Sequence, residues 1–131
     1  MNENLIKIVL IEDNPNSSKL ATKLLRNGGF EVFAADDGET GYETAVENMP
    51  DMILVDLGLP DMDGQTVVGI LRQETGMGEI PIIAFTAYPT DTAQEMAKAY
   101  GCDGVITKPI DTRTFVEQVK AFLSTTTKSE G

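Results

Sequence analysis

Ile6-Lys7-Ile8-Val9-Leu10-Ile11-Glu12-Asp13 is a β-branched and aliphatic run that stops abruptly at two carboxylates. That is the pattern of a strand buried on both faces, as in a parallel sheet covered by helices. Asn14-Pro15 follows and opens a helix, because proline at an early helical position gives up no needed backbone donor. Leu20, Ala21, Leu24 and Leu25 then recur at helical spacing until Gly28-Gly29. The same strand-turn-helix unit repeats along the chain. Glu31 to Ala35 is a predicted strand and Gly38 to Glu47 a helix; Met52 to Val55 is a strand and Gly64 to Gln73 a helix; Ile80 to Phe85 is a strand and Asp91 to Tyr100 a helix. Gly104 to Thr107 is a last short strand, and Phe115, Val116, Val119, Phe122 and Leu123 draw one apolar stripe on a last helix. Five strands alternating with five helices predict an α/β fold with a mainly parallel sheet, right-handed crossovers and helices on both faces. Residues 1–123 form one domain on this reading, and the polar stretch from Ser124 to Gly131 is a frayed tail.

Composition narrows the function. A chain of 131 residues is close to one domain, with 41% hydrophobic and 24% charged residues, near the globular average. No apolar run approaches the roughly 18 residues of a membrane span. Ten basic against twenty-one acidic residues give a net charge of −11, which repels phosphate backbones and anionic lipid, so neither nucleic acid nor membrane is an expected partner. The first residues lack the cationic and apolar segments of a signal peptide, and the single cysteine, Cys102, has no internal disulfide partner; a cytoplasmic protein is expected. The absence of histidine removes histidine triads, histidine metal sites and histidine bases.

The strand ends carry the chemistry. Glu12-Asp13 ends the first strand, Asp56 the third, Thr86-Ala87 the fourth and Lys108-Pro109 the fifth. Ligands of open α/β sheets gather at the carboxyl ends of the strands, so three carboxylates, a hydroxyl and an ammonium converge on the binding edge. Grouped carboxylates take up either a proton or a cation. An all-oxygen set suits Mg²⁺, whereas zinc would want the missing histidines or more than one cysteine. Each residue alone has a structural reading: a helix cap for Glu12-Asp13, a polar stop for Asp56, a strand-end hydroxyl for Thr86, a solvated loop for Lys108. Coincidence at four strand ends on one edge favours a site.

Glu12-Asp13, Asp56-Leu57-Gly58-Leu59-Pro60-Asp61-Met62-Asp63-Gly64, Phe85-Thr86-Ala87 and Lys108-Pro109 together resemble the receiver domains of two-component response regulators, including stand-alone chemotaxis and cell-cycle regulators. The resemblance runs from Ile6 to Leu123. It implies a flavodoxin-like strand order 2-1-3-4-5 and Asp56 as phosphoryl acceptor. It further implies Mg²⁺ on Glu12, Asp13, Asp56 and the Gly58 backbone carbonyl, with Thr86, the Ala87 amide and Lys108 stabilising the phosphoryl group. A carboxylate with a reference pKa of about 3.9 suits the acceptor role, being ionised near neutrality without a base. The donor histidine would belong to a histidine kinase or histidine phosphotransfer protein. Pro60 and Gly64 shape the loop after Asp56, the glycine supplying a positive φ, and Lys108-Pro109 is a candidate cis peptide.

Only eight residues follow Leu123, so the message is expected to pass to a separate effector protein or onward through a phosphorelay, with a phosphorylation-dependent dimer left open. Many receivers carry an aromatic switch residue three positions before the lysine; Val105 stands there. Gly58 and Tyr88 flank the acceptor, the first leaving access to water and the second shielding it. Two other classes compete. A haloacid-dehalogenase-like phosphohydrolase would need a second aspartate at position 58, and a flavodoxin-like electron carrier a hydroxyl- or glycine-rich loop where Glu12-Asp13-Asn14-Pro15 stands. The expected protein is therefore a signalling phosphoacceptor, not an enzyme acting on other molecules.

Overall fold

A computed structural model describes residues 5–128, with side chains described through Ser124. The elements run β1 (Lys7–Ile11), α1 (Pro15–Asn27), β2 (Glu31–Ala35), α2 (Gly38–Asn48), β3 (Met52–Val55), α3 (Gly64–Gln73), β4 (Ile82–Thr86), α4 (Thr90–Tyr100), β5 (Gly104–Thr107) and α5 (Phe115–Lys128). All strand pairs are parallel, in the order β2-β1-β3-β4-β5. Successive residues of each strand feed opposite faces. Ile8, Leu10, Met52, Leu54, Ile83 and Phe85 pack with Leu25 of α1 and Phe115 and Val119 of α5. Val9, Ile11, Ile53, Val55 and Ile82 pack with Ala45 of α2 and Val67, Val68 and Leu71 of α3. Residues 8–11, 52–55 and 82–85 of the central strands are thus apolar at every position because helices cover both faces of the sheet.

The helix starts follow local chemistry. The Asn14 side chain accepts from Ser17 N–H at 3.0 Å with Pro15 at the first position, and Asp37 and Asp63 cap α2 and α3 by accepting from Thr40 and Thr66 N–H, each at 2.8 Å. Three expectations need correction. The fourth strand begins at Ile82, not Ile80, because Pro81 has no N–H and the Ile80 carbonyl is taken by the Arg72 guanidinium at 2.7 Å. It also continues through Thr86. Gly64 has no positive φ, a conformation glycine adopts here only at Gly29, Gly76 and Gly101 among the described residues. Its reason is close approach: a Cβ there would lie 2.8 Å from Leu57 Cδ2 and 3.2 Å from Tyr100 Cε2. The polar residues from Ser124 do not end the last helix, which continues to Lys128, since backbone hydrogen bonding needs no apolar side chain to extend an established helix. Residues 129–131, the rest of the expected tail, lie outside the described residues.

Candidate functional site

The sheet's hydrogen bonding runs past the strand ends and holds the polar residues in place. Glu12 N–H donates to Ala35 O at 2.9 Å, Asp56 N–H to Ile11 O at 2.9 Å and Lys108 N–H to Thr86 O at 2.7 Å. Glu12, Asp56 and Thr86 are buried, with 1%, 8% and 1% exposure, while Asp13 is exposed. One carboxylate oxygen from each of Glu12, Asp13 and Asp56 lies within 4.8 Å of the others. Lys108 reaches into this cluster, its Nζ 2.6 Å from Glu12 Oε1 and 3.4 Å from Asp56 Oδ2. The ammonium also lies 5.2 Å from the centre of the Phe85 ring. The Lys108-Pro109 peptide is cis, as the sequence suggests.

Burial pushes the Glu12 carboxyl above its ordinary value, and the nearby Asp56 charge adds to the shift; the hydrogen bonds from Lys108 and from Asn14 N–H hold it down only in part. Asp56 keeps its shape through its own loop, with Oδ1 accepting from Gly58 N–H at 2.9 Å. Three carboxylates thus face one ammonium. The surplus negative charge and the all-oxygen donor set fit a hard divalent cation, with Glu12, Asp13 and Asp56 able to hold it.

Asp56, Gly58, Thr86, Ala87, Tyr88, Pro89 and Lys108 line one open cleft of about 370 Å³. Glu12 and Asp13 line instead the neighbouring groove along α1. The acidic cluster joins the two. The Thr86 hydroxyl oxygen accepts from Tyr88 N–H at 3.1 Å, which leaves its proton free to donate. Tyr88 is 44% exposed, and a Cβ at Gly58 would make only ordinary contact, 3.8 Å from Asp56 Oδ1, so one flank of Asp56 is open. Val105 is partly buried against Leu57, Ala84 and Ala97.

Sequence reasoning missed the parts played by three residues at or beside the site: Phe85 under the Lys108 ammonium, and the two loop aspartates Asp61 and Asp63. Asp63 before the Gly64 helix start was a readable capping signal. Asp61 acts over more than twenty residues of chain and left no local signal.

The response regulator receiver domain family model matches residues 8–120. The chain belongs to this family. It is 33% identical over 116 residues to the polar-differentiation response regulator DivK of Brucella anthropi, an alignment covering 88% of this chain and 94% of that protein. The fold superposes with a TM-score of 0.85 on the chemotaxis response regulator CheY4 of Vibrio cholerae, at 24% identity, covering 91% of this chain and 99% of that one. The receiver domain of sensor histidine kinase PA1611 of Pseudomonas aeruginosa has a TM-score of 0.83 at 27% identity, covering 92% and 98%, and holds a magnesium ion in its active-site cleft. The receiver is a two-component signalling domain, and neither the phosphohydrolase nor the electron-carrier reading is favoured. No helix among its described residues is long and apolar enough to cross a membrane.

Proposed function

We propose that this receiver accepts a phosphoryl group on Asp56 from a phosphohistidine of a cytoplasmic histidine kinase or histidine phosphotransfer protein. It then changes its binding to a separate effector or relays the group onward. The observation that carries the reading is the convergence of Asp56, Thr86, Ala87 and Lys108 on one cleft, beside the Glu12, Asp13 and Asp56 cluster. An Asp56 carboxylate oxygen forms the new P–O bond as the P–N bond to the donor imidazole breaks, and the imidazole keeps the electron pair and takes a proton. Lys108, the Thr86 hydroxyl and the Ala87 amide stabilise the phosphoryl oxygens, which is most of what phosphoryl transfer asks of a protein. Glu12, Asp13, Asp56 and the Gly58 carbonyl would hold Mg²⁺, which would supply charge neutralisation. A small donor that is already activated needs no partner histidine. Acetyl phosphate with Mg²⁺ should label the chain once, at Asp56, as read by borohydride trapping and mass spectrometry. Equal labelling of Asp56→Asn would overturn the assignment.

A further inference from the structure

The loop between β3 and α3 is fastened at three points. At its base Gly58 N–H donates to Asp56 Oδ1, and Gly58 pairs with Asp63 in an isolated antiparallel bridge. At its far end Asp63 caps α3. Its tip leaves its own element altogether: Asp61 Oδ1 accepts from Gly38 N–H at 2.7 Å and Oδ2 from Glu39 N–H at 3.0 Å. Those are the first two residues of α2, whose amides have no intrahelical acceptor. Asp37, the local cap of α2, is occupied with Thr40, so Asp61 supplies a second, non-local cap. The neighbouring side chain seals the contact, since a Cβ on Gly38 would lie 2.8 Å from Met62 Sδ. The Gly38 and Glu39 hydrogen bonds hold the Asp61 carboxyl below its ordinary value, so the bidentate clamp is charged at neutral pH.

We infer that Asp61 is a positioning residue: by clamping the loop tip to the N-terminus of α2 it fixes the Gly58 segment beside Asp56, and so sets the affinity of the acidic cluster for a divalent cation. The inference rests on the reading of Asp56 and Gly58 given above. Without the Asp61 tether the loop, with its Gly58–Asp63 bridge, can shift as a unit relative to α2 and carry the Gly58 carbonyl with it; a tether to a different helix removes that freedom. Loss of a group that orients a metal ligand costs about 10–100-fold in affinity, and Asp61, acting through the loop, belongs at the tenfold end.

The test separates positioning from helix capping. Asp61→Ala and Asp37→Ala each remove one cap from the same helix, but only Asp61→Ala frees the loop. Mg²⁺ affinity by calorimetry, the rate of labelling by acetyl phosphate and the thermal midpoint are measured for both and for wild type, with Asp61→Asn, which keeps one carbonyl acceptor, as the milder variant should Asp61→Ala not fold. Expected is a roughly tenfold weaker Mg²⁺ affinity and slower labelling at subsaturating Mg²⁺ for Asp61→Ala, an intermediate loss for Asp61→Asn, and wild-type affinity for Asp37→Ala despite a lowered midpoint. Equal Mg²⁺ affinity in Asp61→Ala, or in Asp61→Asn if that alone folds, and wild type overturns the inference. So does an equal loss in Asp37→Ala. Wild type that neither binds Mg²⁺ nor is labelled overturns the underlying reading of the site instead.

Discussion

Lys108 and Glu12 form the shortest ion pair of the cluster, and that pairing sets the electrostatics around Asp56. Without Mg²⁺, carboxyl NMR titration should find Glu12 above its ordinary 4.5, higher still in Lys108→Ala, which removes the lowering partner, and lower in Asp56→Asn, which removes the like charge. The signs for stability differ between carboxyls. Glu12 holds its proton more tightly folded than unfolded, so its contribution falls as pH rises through the window above 4.5; Asp61, lowered, contributes stability present above 3.8 and lost as pH falls through its folded value. Under the proposed function, Thr86 and Val105 differ in the same local way in what each can contribute to a switch. A charge-assisted hydrogen bond from the Thr86 hydroxyl to the phosphoryl group is worth about 1.5–3 kcal/mol, whereas valine has no hydroxyl and a stiff χ1. Thr86→Ala should therefore lose at least about tenfold of any gain in partner affinity brought by a beryllium fluoride mimic, and Val105→Ala little of it, as measured by calorimetry.

Helices meet the sheet at distances that some side chains cannot share. In α2 a Cβ on Gly41 would lie 2.5 to 2.8 Å from three atoms of the fully buried Ile11, while in α3 a Cβ on Gly69 meets nothing within 4 Å. Both are helix-interior positions where alanine is intrinsically favoured by about 0.8–1 kcal/mol. Gly41→Ala should nevertheless lose about 1–3 kcal/mol through overpacking, and Gly69→Ala should gain up to about 1 kcal/mol, both by urea denaturation. Arg72 at the end of α3 ties two loops: it donates to Ile80 O at 2.7 Å and Gly78 O at 3.2 Å before β4 and to Gly101 O at 2.9 Å before β5, and pairs there with Asp103 at 2.7 Å. Asp103 in turn accepts from Ile82 N–H at 3.0 Å, which places the start of β4. A lysine has no planar fork to serve several acceptors at once, so Arg72→Lys should recover less than half of the stability lost in Arg72→Ala, about 2–3 kcal/mol in the same assay.

Across the whole molecule, net charge and packing decide how the fold responds to its surroundings. With 21 acidic against 10 basic side chains and three carboxylates clustered at one sheet edge, cation binding should stabilise the chain, by about 2.7 kcal/mol at a hundred times Kd. Asp13→Asn should melt at or above wild type without Mg²⁺, since it relieves repulsion, and should lose most of the Mg²⁺-induced rise; an unchanged rise would remove Asp13 from the ligand set. Cys102 lies between α4 and β5, partly buried against the clusters that contain Leu71 and Ala97. Burial pushes its thiol up to about 11, so at pH 8 it holds about 100-fold less thiolate than a free cysteine and should react with thiol reagents correspondingly more slowly in the folded protein. Its modification rate in native buffer should rise steeply in urea near the unfolding midpoint.

Local pattern alone determined the class of this protein. The two-sided apolar runs at Ile8–Ile11 and Met52–Val55, the helix signals at Asn14-Pro15, and the polar residues placed at four strand ends are properties of neighbours in the chain. They sufficed for the parallel sheet, its helices and the edge on which the chemistry gathers. What the tertiary structure decided are contacts whose partners are remote in sequence. Lys108 settles on Glu12, 96 residues away, more closely than on Asp56. Asp61 crosses to a helix begun 23 residues earlier, Arg72 claims the carbonyl that would have started β4, and Gly64 is small because Leu57 and Tyr100 crowd it. Periodicity records which face of an element is buried, but not which atoms of another element arrive there; those are set by strand order, helix placement and the few ångströms of room between them.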